Sequence, residues 1–309
     1  MRLPARSVAV LALLALATGC TSAPPQQPVA ARGQSCGGAG KFAEGGERAT
    51  LWIRNSSEFR ASSEGIYRNA TAALARALAD TRWTAEPTQN GDYSALPPAV
   101  IMDIDDTVLD NSEAQARMIL HGACAATFEA FWDAWVAERA APSVPGAADF
   151  IRAARGMKDA QGRAVRVFLI TNRECAPRTW NAAPCPQQDD TLANLRALGL
   201  DSPTLTEDLM IRGEYPDWES EKEPRRQLVA RDYRILLNVG DDLADFLPAV
   251  RRATVAARER ARCARRDWWG ERWFLIPNPM YGSWQQVMGP DLEALLAAKP
   301  QIDEDCAKP

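Results

Sequence analysis

The chain has 309 residues, a net charge of −4 at pH 7 and a composition that is 46% hydrophobic and 25% charged, as in ordinary globular proteins. The negative charge argues against a nucleic acid polymer as the principal partner. Its single histidine, His121, excludes Ser-His-Asp hydrolases, histidine-nucleophile enzymes and His-rich zinc sites. We assign His121 no role and expect carboxylates to carry any acid–base chemistry.

Residues 1–19 have the pattern of a secretion signal, with two arginines before a short apolar run. The run is too short to cross a bilayer as a helix and ends in Leu16-Ala-Thr-Gly-Cys20. This ending resembles the bacterial lipobox, in which the cysteine becomes a lipidated first residue. An ordinary signal peptide with an incidental Cys20 is the alternative. We expect the protein to be exported and anchored to a bacterial membrane by a lipid at Cys20. The expected membrane is the outer membrane, with the protein facing the periplasm or the cell surface.

Residues 21–48 are rich in Pro, Gln, Ala and Gly, and so predict a flexible tether. Together with the lipidated Cys20 they make up residues 20–48. Residues 49–309 have the length of one large domain, and no further stretch is apolar enough to span a membrane. Setting Cys20 aside, six cysteines are left, an even number that permits disulfides in an exported protein. Cys175 and Cys185 are the first candidate pair, the other pairings stay open, and several buried thiols are the alternative.

The predicted elements alternate between helices and short apolar strands. Helices are expected over 56–80 and over 189–198, the second closed by Gly199. Apolar runs that predict buried strands lie at 99–102, 165–170 and 235–239. This order predicts a parallel sheet covered on both faces, and each run is followed by polar residues. Ligands bind at that edge in open α/β sheets, so the polar residues should converge there.

Residues 125–139 carry five large apolar side chains at helical spacing, from Phe128 to Val136. An amphipathic helix that packs this stripe into the protein is the first interpretation. Because the segment lies between the first two strands, it also fits a small cap over the site. We expect cap elements over roughly 113–145, together with the N-terminal helix.

The segment Asp103-Ile-Asp-Asp-Thr-Val-Leu-Asp-Asn-Ser112 follows the first strand directly. In an extended segment Asp103 and Asp105 share a face, so both can address one ligand. One carboxylate can attack phosphorus, while the other moves the proton of the leaving oxygen and later that of the attacking water. Asp106 and Asp110 are expected to shape the turn. The segment lacks the glycine and the distal glutamate of an EF-hand loop.

Three later segments supply what this chemistry needs. Thr171 can hydrogen-bond a phosphoryl oxygen, and Lys222 offers a positive charge for the transferring group. Asp241 and Asp245 offer hard oxygen ligands that, with Asp103, suit Mg²⁺. Such a cation would offset the repulsion between an anionic nucleophile and phosphate.

These motifs, in this order, resemble the signature of the haloacid dehalogenase (HAD) superfamily, and more narrowly the class C acid phosphatases, lipoproteins that include 5′-nucleotidases. The resemblance spans roughly Leu51 to Trp284. It rests on SSEFRA, DIDDTVLDNS, ITNR, SEKEPR, VGDDLADF and LIPNPMYGSW. It implies the HAD-like Rossmannoid fold, a three-layer α/β/α parallel sheet with a small helical cap.

The resemblance also implies the roles of individual residues. Asp103 would be the nucleophile and Asp105 the general acid and base. The phosphoryl group would be bound by Thr171, Asn172 and Lys222. Mg²⁺ would be bound by Asp103, the backbone carbonyl of Asp105, Asp241 and, at or near its shell, Asp245.

Two positions depart from the family pattern. The family usually has an aromatic residue shortly after DNS, where this chain has Glu113-Ala114, and a further acid where Ala244 stands. Tyr281 and Trp284 are candidate stacking surfaces for the organic part of a substrate, with packing as the alternative.

The expected activity is Mg²⁺-dependent hydrolysis of small organic phosphates outside the cytoplasm, with nucleoside 5′-monophosphates as one candidate substrate class. The alternatives are a surface ligand-binding lipoprotein without turnover, and a phosphotransferase on the same fold. Residues 251–272 hold eight arginines against three acids. A solvated helical face is the first interpretation of this segment, and attraction of phosphorylated substrates or anionic headgroups is the second. The nearby tryptophans Trp268, Trp269 and Trp273 are expected in the core.

Overall fold

The computed structural model describes residues 46–178, 181–289, 291–298 and 306, so the predicted signal segment, Cys20 and most of the tether lie outside the described residues. Within that part of the chain, a single parallel sheet has the strand order β3-β2-β1-β4-β5. The strands are β1 (Pro98–Met102), β2 (Arg166–Glu174), β3 (Leu209–Arg212), β4 (Arg234–Gly240) and β5 (Trp273–Leu275).

Helices connect the strands and cover the sheet. They are α1 (Gly46–Asn55), α2 (Ser57–Ala79), α3 (Ser112–Leu120), α4 (Ala125–Glu138), α5 (Ala147–Gly156), α6 (Pro186–Ala197), α7 (Leu205–Asp208), α8 (Glu223–Asp232), α9 (Val255–Cys263), α10 (Ser283–Gln286) and α11 (Leu292–Ala297). Two short 3₁₀ turns span Leu243–Asp245 and Arg266–Trp268. Among the helices described, none is both long and apolar enough to cross a membrane.

The sheet has a separate apolar core on each face. Along β1, Val100 and Met102 face the core shared with α2 and α5, whereas Ala99 and Ile101 face a second core with α8. Because alternate residues of a strand point to opposite faces, a strand buried on both sides reads as a continuous apolar run. The predicted three-layer α/β/α arrangement is confirmed.

The two predicted helices and all three predicted strands are present. Ser56 caps α2 by accepting a hydrogen bond from the Phe59 amide at 3.0 Å. Gly199, at φ 69°, follows the end of α6, where an L residue would be strained. Strands β3 and β5 were not predicted, because they have only four and three residues and carry no distinct alternation.

Helix α1 begins at Gly46, three residues before the predicted start of the domain at residue 49. Thr50 and Ile53 are buried, and Trp52 packs against the core, so the polar flanks of this segment concealed an amphipathic helix. Helix α1 packs on α3, and α3 packs on α4. Helices α3 and α4 lie within residues 113–145, where cap elements were predicted, apart from Ser112 at the start of α3.

The cysteine prediction is confirmed for Cys175–Cys185. A second disulfide joins Cys263 to Cys306, a pairing that the sequence analysis left open. Cys124 is also disulfide-bonded. Of the three tryptophans expected in the core, Trp273 is fully buried and the other two pack against it.

Candidate active site

A cleft of about 570 Å³ opens at the carboxyl ends of β1, β2 and β4. Each strand delivers polar residues to it, as the alternation of helices and strands predicted. The predicted site residues among those that line the cleft are Asp103, Asp105, Asn172, Lys222, Asp241, Asp245 and Tyr281. Thr171 and Trp284 are absent from this lining.

Asp103 and Lys222 form a buried ion pair at the base of the cleft. The backbone amide of Asp103 donates to the Val239 carbonyl at 2.9 Å, which extends the sheet by one residue and fixes the aspartate. The ammonium of Lys222, which directly precedes α8, donates to Asp103 Oδ1 and, at 2.7 Å, to Asp245 Oδ1. Both side chains of the pair are about 95% buried, so their charges are poorly screened by water.

Asp103, Asp241 and Asp245 each bring a carboxylate oxygen within 4.8 Å of the others. Burial raises the pKa of Asp103 to about 7, although the charge of Lys222 opposes the shift. Burial, together with the charges of Asp103 and Asp245, raises the pKa of Asp241 well above its ordinary value. One lysine thus faces several crowded carboxylates. This hard-oxygen donor set fits a divalent cation such as Mg²⁺.

Asp105 is held by donors on both of its oxygens. Arg173 donates to Oδ1 from Nε at 3.0 Å and from Nη2 at 2.9 Å, and Asn111 Nδ2 donates to the same oxygen at 2.9 Å. The Thr171 hydroxyl donates to Oδ2 at 3.0 Å. Asp105 therefore has one saturated oxygen and one oxygen whose partner is a rotatable hydroxyl.

Arg173 and Asn111 were not predicted from the sequence as site residues. A signal for Arg173 was present, because it lies two residues beyond Thr171 and so shares a strand face with it. Asn111 gave no comparable signal. The Asn111 amide oxygen accepts a hydrogen bond from Trp135 Nε1 at 2.7 Å. This contact orients Asn111 and depends on how α4 packs, which the local sequence does not show.

The end of β2 is fixed by the fully buried Arg225. Its guanidinium donates to the Thr171 carbonyl at 2.6 Å and to Asn172 Oδ1 at 2.8 Å. Asn172 also donates to the Ser220 carbonyl at 3.0 Å, so β2 is bonded to the segment that carries Lys222. Thr171 is completely buried, and its hydroxyl is directed at Asp105.

Asp245 organises the turn after β4. Its Oδ2 accepts from the backbone amides of Asp241 and Asp242 at 3.1 and 3.0 Å, while Oδ1 accepts from Lys222. Gly240 leaves room for this carboxylate, since an added Cβ would lie 2.6 Å from Asp245 Cβ. Asp241 Oδ2 accepts from Asn278 Nδ2 at 2.8 Å. Both oxygens of Asp245 are thus engaged within the protein.

The two candidate stacking residues differ in position. Tyr281 lines the cleft and its hydroxyl donates to Asp106 Oδ2, whereas the Trp284 indole donates to the Tyr281 carbonyl at 3.2 Å and lies outside the lining. Burial raises the pKa of Asp106 to about 8, against the hydrogen bond from Tyr281. Asp106, at φ 57°, and Asp110, which accepts from the Ser112 amide at 2.8 Å, shape the turn as expected.

The departure at Glu113-Ala114 has a structural consequence. Glu113 points away from the cleft and pairs with Arg54 of α1 and Arg117 of α3, while Ala114 lines the cleft. Phe128 and Trp132 of α4 supply aromatic rings to the same lining, with centroids 6.2 Å apart. Helix α4 packs Trp135 and Val136 into the core, as the amphipathic interpretation predicted, and places Phe128 and Trp132 at the cleft.

His121 is exposed at the end of α3 and lies 6.0 Å from the Phe131 ring, away from the cleft. The arginine-rich segment is not uniformly solvated as first interpreted, because Arg258 is buried and donates to the Val250 carbonyl at 2.7 Å.

The parallel fold, the aspartate pair after β1, the buried lysine and the acidic group after β4 define a phosphatase with a carboxylate-based site. Residues 55–284 match the family described as HAD superfamily, subfamily IIIB (acid phosphatase). The chain belongs to this family. It is a phosphatase, and its reaction is the hydrolysis of phosphomonoesters.

Solved structures agree with this assignment. The class C acid phosphatase from Bacillus anthracis is similar with a TM-score of 0.65 and 26% sequence identity, over 85% of this chain and 99% of that chain. A structure of the class C acid phosphatase from Bacillus anthracis with tungstate bound gives a TM-score of 0.64, with the same identity and coverage.

Proposed function

We propose that the protein is a Mg²⁺-dependent acid phosphatase that forms an aspartyl-phosphate on Asp103 and acts on small organic phosphates. The observation that carries the proposal is the position of Lys222, whose ammonium contacts both Asp103 and Asp245 in the buried base of the cleft. A positive charge there keeps Asp103 available as an anion and attracts a phosphoryl group to it.

In the first step a carboxylate oxygen of Asp103 attacks phosphorus, and the bond to the leaving oxygen breaks. Asp105 gives that oxygen its proton. Arg173 and Asn111 occupy Oδ1, so the proton resides on Oδ2, beside the Thr171 hydroxyl. In the second step Asp105 takes a proton from water, which attacks the phosphorus and restores Asp103.

Lys222, Asn172 and Thr171 are the proposed phosphoryl-binding residues. Lys222 supplies charge, Asn172 lines the cleft, and Thr171 reaches the reaction through its bond to Asp105. Asp103, Asp241 and the backbone carbonyl of Asp105 would hold Mg²⁺, with Asp245 at or near its shell. When bound, the cation would neutralise charge on the phosphate and on Asp103.

The proposed substrates are small phosphomonoesters, with nucleoside 5′-monophosphates as one class. The cleft volume of about 570 Å³ is in the range of small-molecule sites, and Tyr281, Phe128 and Trp132 give it an aromatic wall. The Bacillus anthracis protein has been solved with tungstate, a tetrahedral oxyanion like phosphate. Export and lipid attachment at Cys20 complete the proposal, and rest on residues 1–20 of the sequence.

The test is phosphate release from a panel of phosphomonoesters, with Mg²⁺ and with a chelator. Asp103→Asn should lose activity by about a thousandfold or more, since it removes the nucleophile. Asp149→Asn, in a side chain that is 89% exposed, is the matched control and should match the wild type. Full activity of Asp103→Asn would refute the mechanism. Transfer of phosphate to added alcohols in place of water would favour a phosphotransferase.

A further inference from the structure

The cations that line the cleft are not equivalent. Four of them have a carboxylate oxygen within 4 Å, and Arg251 alone has none among the described residues. The paired cations are Arg173 with Asp105, Arg178 with Glu174 and Asp133, Arg212 with Glu174, and Lys222 with Asp103 and Asp245.

The backbone that carries Arg251 is fixed. The preceding Val250 is 96% buried in the core with α8, and its carbonyl accepts a hydrogen bond from Arg258 at 2.7 Å. The same nitrogen of Arg258 donates to Ser283 Oγ at 2.8 Å, and the Ser283 hydroxyl donates in turn to Asp242. The backbone next to Arg251 is therefore connected, through Arg258 and Ser283, to the turn after β4.

The side chain of Arg251 is partly enclosed. Its Nε is buried and has no hydrogen-bond partner in the part of the chain that the structure describes. An N–H group in this state has given up water without gaining an acceptor, and this cost is recovered when a bound anion accepts from it. An arginine presents a planar set of donors that matches phosphate and carboxylate geometry.

We propose that Arg251 binds a second anionic group, a phosphate or a carboxylate, on the organic part of the substrate. The preferred substrates are then small phosphomonoesters that carry two anionic groups. This inference rests on the proposed function, because Lys222 and Asp103 hold the phosphoryl group that is transferred. A nucleoside 5′-monophosphate, with its single phosphate, would leave Arg251 unused.

The experiment compares kcat/KM for three matched compounds. Glycerol 1-phosphate has a neutral remainder, 3-phosphoglycerate adds a carboxylate, and glycerol 1,3-bisphosphate adds a phosphate. The wild type should prefer one or both compounds with a second anionic group, and the difference between those two identifies that group. Arg251→Gln should lower the ratio of kcat/KM for these compounds to kcat/KM for glycerol 1-phosphate by about tenfold to a hundredfold, mostly through KM.

Two variants serve as controls. Arg251→Lys keeps a positive charge and should retain part of the preference, whereas Arg252→Gln changes the exposed neighbour and should leave the ratio unchanged. If kcat/KM in Arg251→Gln fell equally for all three substrates, or did not fall at all, the ratio would be unchanged and the inference would be overturned.

A binding measurement separates this inference from the proposed function. Calorimetry on Asp103→Asn with 3-phosphoglycerate and glycerol 1,3-bisphosphate does not require turnover. If the wild type released no phosphate from any substrate, the proposed function would fail. Weaker binding on adding Arg251→Gln would still support Arg251 as an anion site, and unchanged binding would reject it.

Discussion

Arg173 donates from Nε and from Nη2 to the same carboxylate oxygen of Asp105, at 3.0 and 2.9 Å. Its Nη1 donates to Thr191 of α6 at 2.9 Å, and its guanidinium carbon lies 5.6 Å from the Trp132 ring centroid on α4. The orientation of the proposed acid therefore depends on two helices that cover the site.

Replacing Arg173 tests this dependence. Arg173→Gln should lower kcat by about tenfold to a hundredfold and change KM by less than about threefold, because Asp105 loses its orientation while Lys222 is untouched. Steady-state kinetics on the wild type and the variant measure both values. Arg196→Gln, at an exposed ion pair with Asp201, should change neither value by more than about twofold. A rise in KM at constant kcat would show that Arg173 binds substrate instead.

Gly240 should tolerate no side chain. Gly240→Ala would place a methyl group against Asp245, and we expect a loss of roughly 1–3 kcal/mol in the free energy of unfolding together with a large loss of activity. Chemical denaturation and phosphate release measure the two effects. Gly156→Ala, at the end of α5 with open space around the new Cβ, should be neutral or slightly stabilising. Normal activity of Gly240→Ala would mean that the turn after β4 can shift at little cost.

Mg²⁺ should stabilise the fold in a pH-dependent way. Burial raises the pKa of Asp103 to about 7 and that of Asp241 well above its ordinary value. A cation binds only ionised carboxylates, so stabilisation should be strongest at high pH and weaken as the pH falls through these raised values. At saturating Mg²⁺ and pH 8, we expect Tm to rise by roughly 4–8 °C, and by much less at pH 5. Asp241→Asn should abolish the shift. A shift that persists in this variant would place the cation elsewhere.

Glu113 should contribute pH-dependent stability to the cap. Hydrogen bonds from Arg117 and Arg54 lower its pKa, so the ionised form is favoured in the folded state. This stability is present above the ordinary pKa of a glutamate and is lost as the pH falls through the lowered value. Glu113→Gln should therefore lower Tm by roughly 1–3 °C at pH 7, and by nothing measurable near pH 3.

The matched control for Glu113 is Glu64→Gln, whose contact with Arg68 is 3.9 Å long and more than half exposed. It should leave Tm unchanged at both pH values. A loss of stability in Glu113→Gln that is equal at pH 3 and pH 7 would assign the effect to packing in place of charge.

The architecture could be predicted from the sequence because burial on both faces leaves a visible trace. β1, β2 and β4 read as apolar runs, and each is followed by chemically distinctive residues. The edge strands β3 and β5 were not predicted, since three or four residues are too few to establish a pattern. Helix α1 was not predicted because its buried residues, Thr50 and Ile53, lie among charged neighbours.

For the site, the sequence by itself determined the proposed reactive set and its order along the chain. Asp103, Lys222 and Asp241 were identified without coordinates, because their residue types and motifs limit the chemistry that they can perform. Only the tertiary structure decided which side chains contact and orient the site residues. Arg173 and Asn111 reach Asp105, Arg225 joins Thr171 to Asn172, and Arg251 stands in the cleft without a carboxylate. These contacts join residues far apart in the chain or separated by a turn, and their distances depend on how helices pack on the sheet, which no local pattern encodes.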